Sequence, residues 1–270
     1  MTSYRDSSHR YLVSGAYAWG SAKEEKQVFT PFLGMVYELS PQLSLYASYT
    51  DIFTPQTSID VNGQTLNPIL GRNFEIGAKG ALPGTALQAS IALFRTEERN
   101  NAESDGDRTT PSGDFAYRNG KGLLSQGVEL EISGKLTPHW NIYGGYTLKK
   151  TKREQELGLF DPAPPPDHLL KVSTDYRLTG ALSRLRIGGA LSWQSSTETT
   201  KTFRGVTASR MQAAYALLNL SAHYDLTRQT RVSLNIDNAL DKHYYSGLGG
   251  YGGGYWGTPR SFLVTLNHQF

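Results

Sequence analysis

Apolar and polar residues alternate along most of the chain with a period of two. Leu185, Ile187, Gly189, Leu191 and Trp193 fall on one face, and Arg186, Gly188, Ala190, Ser192 and Gln194 on the other. Val128, Leu130 and Ile132 oppose Glu129, Glu131 and Ser133, and Val232, Leu234 and Ile236 oppose Ser233, Asn235 and Asp237. Trp140, Ile142, Tyr146 and Leu148 oppose Asn141, Tyr143, Thr147 and Lys149, and Phe74, Ile76 and Ala78 oppose Asn73, Glu75 and Lys79. Helical 3.6-residue periodicity is nearly absent, so the pattern predicts an all-β, antiparallel chain of about twelve strands of roughly ten residues each. Their centres fall near residues 15, 33, 47, 77, 91, 128, 145, 172, 189, 219, 235 and 264. Residues 28–38 are apolar on both faces, so the pattern leaves that strand without an orientation.

The connections alternate between short and long. The short ones are Ser40-Pro41-Gln42, Leu82-Pro83-Gly84-Thr85, Leu136-Thr137-Pro138-His139, Leu178-Thr179-Gly180-Ala181 and Leu226-Thr227-Arg228-Gln229, all rich in turn-forming or polar residues. The long ones run over 53–71, 98–116, 152–166, 196–211 and 241–257, and the first connection, 20–27, is intermediate. A soluble sandwich has no reason to gather its short turns at one end. A transmembrane β-barrel has one: short periplasmic turns and long outer loops.

Composition narrows the picture further. In 270 residues there is no cysteine, which excludes disulfide scaffolds, thiolate zinc sites and thiol nucleophiles. Lys and Arg number 27 against 24 Asp and Glu, an excess too small for a dedicated nucleic-acid surface. No stretch approaches the roughly 18 apolar residues of a membrane helix, but barrel strands dilute their apolar face with polar lumen residues and give no such run. Met1 to Arg10 has no apolar core or small-residue cleavage site, so it does not read as a secretory signal.

Phe262, Val264, Leu266 and the terminal Phe270 share one face, with His268 the exception. This resembles the C-terminal signal by which the barrel assembly machinery recognises outer-membrane barrels; the plainer reading is a strand that ends in Phe. Tyr17, Trp19, Tyr46, Tyr49, Trp140, Tyr176, Trp193, Tyr224, Tyr244 and Tyr245 cluster near predicted strand ends. Interfacial girdles would look like this, and so would the ordinary β-propensity of aromatics.

Five segments, in order, resemble TonB-dependent siderophore receptors of the ferric-coprogen and ferric-pyoverdine type. They are QLSLYASYTDIFTPQ (42–56), PILGRNFEIGAKG (68–80), SQGVELEISG (125–134), NIDNALDKHYY (235–245, with Ala239-Leu240 where Leu-Phe is usual) and GTPRSFLVTLNHQF (257–270). The resemblance implies a barrel of about 22 strands in the whole family member, with a plug domain, a TonB box and a signal peptide ahead of it. None of those is recognisable here, so residues 1–270 read as the C-terminal portion of the barrel, with plug and signal peptide absent. The implied location is the Gram-negative outer membrane, in contact with its lipid. The implied function is uptake of a ferric siderophore, energised by the TonB complex through the missing plug. Iron would enter only as the chelate, with no protein cofactor. Two other readings stay open: a self-contained smaller barrel acting as a passive pore or structural protein, with the strand near 15 pairing with the strand near 264, and a remnant without function.

No arrangement of residues calls for catalysis. GLGGYG at 247–252 matches Gly-x-Gly-x-x-Gly, but Pro259 and a strand follow it rather than the helix a dinucleotide site needs. It reads either as a flexible outer loop or as a ligand-facing one whose Tyr251, Tyr255 and Trp256 stack on an aromatic chromophore. His9, His139, His168, His223, His243 and His268 have no metal-ligand spacing, and a Ser221–His223 hydrolase pair lacks a supporting motif. Glu75, Lys79, Glu129, Glu131 and Arg186 fall on the polar phase of their strands, with Lys171, Asp175, Arg177, Asp225, Arg231 and Asp237. These are lumen-facing charges that either line hydrated space or pair with a plug. Residues 99–114 read as an exposed polar loop, and 161–167 as a stiff Pro-rich one.

Overall fold

The computed structural model describes residues 2–4, 10–13, 16–19, 26–153, 163–203, 206–248 and 254–270. Eleven strands form one antiparallel sheet in which every strand neighbours the next in sequence. We number them β1 (Phe32–Ser40), β2 (Leu43–Thr54), β3 (Ile69–Ala81), β4 (Ala86–Arg99), β5 (Leu123–Thr137), β6 (Trp140–Arg153), β7 (His168–Arg177), β8 (Leu185–Gln194), β9 (Tyr215–Asp225), β10 (Thr230–Asp237) and β11 (Ser261–His268). These match eleven of the twelve expected strands. The expected strand near residue 15 is instead a separate hairpin, Arg10–Val13 against Ala16–Trp19.

All short connections lie at one end of the sheet and all long ones at the other, as the alternation predicts. Residues 41–42, 82–85, 138–139, 178–184 and 226–229 make the turns, the fourth through a single 3-10 turn at Gly180–Leu182. Three of the long connections carry paired strands of their own: Ala102–Thr109 with Phe115–Asn119, Thr197–Phe203 with Val206–Gln212, and Tyr245–Leu248 with Gly254–Trp256.

Pairing register sorts the side chains into a mainly polar and a mainly apolar face. One row joins Lys79, Ser90 and Glu131, and another joins Lys171, Ser192 and Leu217. On the opposite face Ile76, Leu93, Val128 and Leu148 form an unbroken apolar row. Register also orients β1: Gly34 pairs with Ser48 and Glu38 with Ser44, so Phe32, Gly34, Val36 and Glu38 lie on the polar face. Its apolar phase, Leu33, Met35, Tyr37 and Leu39, faces outward and is well exposed. The sheet is a single layer, and no large side chain among the described residues is fully buried. That arrangement is costly in water but fits a wall with lipid on one side and a hydrated lumen on the other.

Outward aromatics trace two oblique bands. Tyr49 and Phe74 meet at 5.1 Å on adjoining β2 and β3. Following that row across to β6 reaches Lys150, whereas the aromatic on β6 is Tyr146, four residues nearer the turn end. Four residues are about 13 Å along a strand, against about 14 Å across three strand spacings, a slope of roughly 40° that matches the strand tilt of membrane barrels. Tyr146 hydroxyl and His168 Nδ1 are 2.7 Å apart, and Trp193 completes this band. At the turn end Trp140 and Tyr176 pack edge-on at 6.2 Å, and Tyr224 lies one outward position lower, opposite Leu185. Of the aromatics expected in girdles, Tyr46 belongs to the polar face, where its ring covers Gly77 so closely that a Cβ there would lie 2.6 Å from it. Tyr244 and Tyr245 belong to a long loop, and the side chains of Tyr17 and Trp19 lie outside the described residues.

Neither β1 nor β11 has a second strand neighbour among the described residues. Both run from the loop end to the turn end, because eleven is odd. Direct pairing of the two edges would be parallel, and an antiparallel closure needs an odd number of further strands between them. The pairing that a self-contained twelve-stranded barrel requires, between the region near residue 15 and β11, is not made by Arg10–Val13 or Ala16–Trp19. In lipid each free edge group needs a partner.

Candidate functional site

The polar face carries its charges in two groups. Glu75, Lys79, Glu129 and Glu131 project from β3 and β5 on either side of β4. Ser90 on β4 donates to Glu131 at 3.4 Å, and Lys79 Nζ stands 6.0 Å from the Tyr46 ring. Arg186 is not part of this group. It sits on β8 in a cluster of mixed charge near the turn end, opposite Arg177 and 3.8 Å from Asp175, with Arg231 Nε donating to Asp225 at 2.6 Å. Asn141 also donates to Asp175, at 2.5 Å. Arg177 and His223 join these residues around a cleft of about 160 Å³. His223 Nδ1 lies 2.8 Å from Ser233, so the sequence-adjacent Ser221 is not its partner. Among the described residues no group of His, Asp and Glu has the geometry of a metal site.

The loop end of β9–β11 holds the aromatic cluster. Asn238 begins it, buried and in the left-handed region at φ 47°, a conformation Asn tolerates better than most residues. Its backbone N–H donates to Asn219 Oδ1 at 2.9 Å. Its side-chain amide donates to the carbonyls of Lys242 (2.9 Å) and Thr258 (3.1 Å), and its Oδ1 accepts from Lys242 N–H at 2.8 Å. Asp241 Oδ1 accepts the Arg260 N–H at 3.0 Å. One Asn and one Asp thus clamp the start of the connection to its end. The resemblance segments 235–245 and 257–270 face each other here.

From that clamp rise the rings. Tyr244 packs on Tyr215 at 4.7 Å, and Gly257 passes so close to Tyr244 that a Cβ there would lie 2.0 Å from its ring. Tyr245 stacks on Trp256 at 4.2 Å, and Gln212 Oε1 accepts the Tyr245 N–H at 2.7 Å, tying this hairpin to the neighbouring one. Of the three expected ligand-loop residues, Tyr255 and Trp256 are 69% and 65% exposed in a hairpin strand. Tyr251 lies outside the described residues. Tyr244, Tyr245 and Tyr215 join the cluster without having been singled out for it. The sequence signal was present in the paired tyrosines of 235–245, but the contact of 215 with 244 is purely tertiary.

The expected assembly residues Phe262, Val264 and Leu266 occupy the outward face of β11 at 64–68% exposure, and Phe270 extends past the strand, its ring 4.8 Å from His268.

The fold and sequence have close counterparts. The chain is 37% identical over 247 residues to the ferric-pyoverdine 358 receptor of Pseudomonas putida and 36% identical over 250 residues to the ferripyoverdine receptor of Pseudomonas aeruginosa, covering 91% and 90% of this chain. It spans about 30% of each of those proteins. The crystal structure of the ferripyoverdine receptor of the Pseudomonas aeruginosa outer membrane, bound to ferripyoverdine, superimposes with a TM-score of 0.75 at 32% identity, over 97% of this chain and 35% of that one. The family model for the TonB dependent receptor-like β-barrel matches residues 2–239. With its eleven-stranded antiparallel sheet, largely apolar outer face and one-ended short turns, the chain is outer-membrane β-barrel wall and belongs to the TonB dependent receptor-like, beta-barrel family.

Proposed function

We propose that this chain forms part of the wall and outer loops of a receptor that takes up a ferric siderophore across the outer membrane. The observation that carries the reading is its likeness to two ferric-pyoverdine receptors along nearly all of its length. The exposed Tyr255 and Trp256, held by the Asn238 clamp, support it chemically. They offer flat surfaces to an aromatic chelate at the loop end, and Tyr251 of the same loop joins them in this reading. Iron enters as the chelate, with no metal held by the protein itself and no bond chemistry performed. The driving force is TonB acting through a plug supplied outside these residues. Glu75, Lys79, Glu129, Glu131 and Arg186 line the passage. Phe262, Val264, Leu266 and Phe270 present the barrel to its assembly machinery.

Retention of a pyoverdine-type chelate loaded with radioactive iron by outer membranes carrying the protein tests this. Saturable binding is expected, weakened roughly three- to tenfold by Tyr255→Ala or Trp256→Ala, as loss of a stacking contact predicts. Iron accumulation should cease with a protonophore. Absence of chelate binding by membranes that hold the folded protein would overturn the proposal.

A further inference from the structure

The outward face contains charges that lipid-facing strands should not have. Arg72 on β3, Arg95 and Arg99 on β4, and Lys150 and Lys152 on β6 lie in the same phase as Ile76, Leu93 and Leu148. Cross-strand pairing sets them side by side: Phe74, Arg95, Gln126 and Lys150 form one row, and Asp51, Arg72, Glu97, Leu124 and Lys152 the next. Directly below runs the apolar row of Ile76, Leu93, Val128 and Leu148. All five cations are exposed.

These positions lie at the long-loop end, just beyond the band of Tyr49, Phe74 and Tyr146, where a barrel meets the outer leaflet's headgroups. Two carboxylates share the patch. Glu97 accepts from Arg95 at 2.9 and 2.7 Å, and Asp51 is bonded to Tyr49. Arg72, Arg99, Lys150 and Lys152 make no ion pair among the described residues. Five cations against two carboxylates leave a positive surface about 14 Å wide across three strand spacings. The outward positions of β7–β11 hold no Lys, Arg, Asp or Glu.

We infer that the outer surface of β3–β6 is a binding site for a phosphorylated glycolipid of the outer leaflet. Its acyl chains lie along Ile76, Leu93, Val128 and Leu148, and its phosphates are held by Arg72, Arg95, Arg99, Lys150 and Lys152. The guanidinium fork matches phosphate geometry, the lysines add point charges, and Gln126 supplies a neutral donor between them. Cations directly above an apolar row match a ligand that carries phosphates and acyl chains in one molecule.

The test uses the protein extracted from outer membranes in mild detergent, stripped of lipid and titrated with lipid A or with its dephosphorylated form, the bound lipid being read by native mass spectrometry. The phosphorylated form should bind at least about tenfold more tightly, with affinity falling as salt rises. Arg72→Gln, Arg95→Gln, Lys150→Gln and Lys152→Gln together should remove that preference, and Lys135→Gln on the polar face should leave it intact. Lys150→Arg with Lys152→Arg should retain it, which separates lost charge from lost folding. Equal binding of both lipid forms, survival of the preference in the fourfold variant, or full displacement by an equal concentration of inorganic phosphate would each overturn the inference.

Discussion

Strands β3–β6 and β7–β11 belong to one sheet and share one alternation, yet they finish differently at the loop end. β3–β6 run 13 to 15 residues and carry the backbone ladder past the aromatic band, turning the outer face from apolar to cationic as they leave the lipid. β7–β11 run 8 to 11 residues and end close to that band. Beyond it the connections form short hairpins of their own, and side chains of Asn238, Asp241 and Gln212 tie those hairpins to the sheet and to each other. The same fold therefore supplies a rigid extension on one side and a tied, aromatic-rich loop on the other. An extension made by main-chain bonds tolerates changes of side chain. A hairpin anchored by side-chain bonds is sensitive at its anchors.

The largest effect should come from crossing the lipid boundary. Leu93→Arg in β4 and Leu191→Arg in β8 both place a charge in the apolar band and should each cost about 2–4 kcal/mol. Gln126→Arg, one outward position above Val128 on β5, should stay within roughly 0.5 kcal/mol. Urea titration of the folded protein in lipid measures all three. A large cost for Gln126→Arg would place that row inside the membrane and erase the distinction between the two halves.

Next in size is the clamp. Asn238→Ala strips the partners from the Lys242 N–H and from the Lys242 and Thr258 carbonyls, and sets alanine at a positive φ. Local opening of the 238–260 connection should become easier by about 2–3 kcal/mol. Asn238→Gly keeps the backbone conformation and isolates the side-chain share. Hydrogen exchange at Lys242 and proteolysis within 241–257 report it, while β3–β6 should exchange as before. Gly257→Ala attacks the same region by a different route, because its methyl must displace the Tyr244 ring. A cost of about 1–3 kcal/mol is expected, and it should largely vanish in a background of Tyr244→Ala. Additivity of the two substitutions would refute the close approach.

The sheet was legible because its cause is periodic. Residues that alternate every two positions, bounded by Pro- and Gly-containing turns, leave few other folds, and the register then follows the apolar face. β1 resisted because Phe32 and Val36 put apolar side chains on the polar face, so only its pairing with Ser44 and Ser48 orients it. The region near residue 15 has the composition of a strand, yet its two segments pair with each other, a choice that depends on partners rather than on pattern. Arg72, Arg95, Lys150 and Lys152 were visible as breaks in the apolar phase. Their meaning depended on four strands, β3–β6, being brought side by side. The separation of Arg186 from Glu75 likewise follows from strand order, since β3 and β8 are both charged but are not neighbours.

The smallest effect concerns a loop beyond β2, where the rigid half meets its own turn. Asp60 Oδ1 accepts the N–H groups of Asn62 at 2.9 Å and Gln64 at 2.8 Å, closing a turn with Gly63 at φ 79°. The bond from the Gln64 N–H is the chief reason its carboxyl stays below the ordinary carboxylate range; desolvation opposes it as the next largest influence, and the two Asn62 bonds add to the lowering. A carboxyl depressed in the folded state contributes stability that is complete above its ordinary value near 4 and is lost as pH falls through the depressed one. Protection of the Gln64 amide, corrected for intrinsic exchange, should therefore hold at neutral pH and decline only on strong acidification. Asp60→Asn should give weaker protection with no such dependence. The turn is solvent-exposed and docked through the Tyr117 N–H on the Ile59 carbonyl, a main-chain bond that acid leaves untouched. Loss of the whole 58–66 hairpin on acidification would thus mean that side chains, rather than the ladder, govern this half as well.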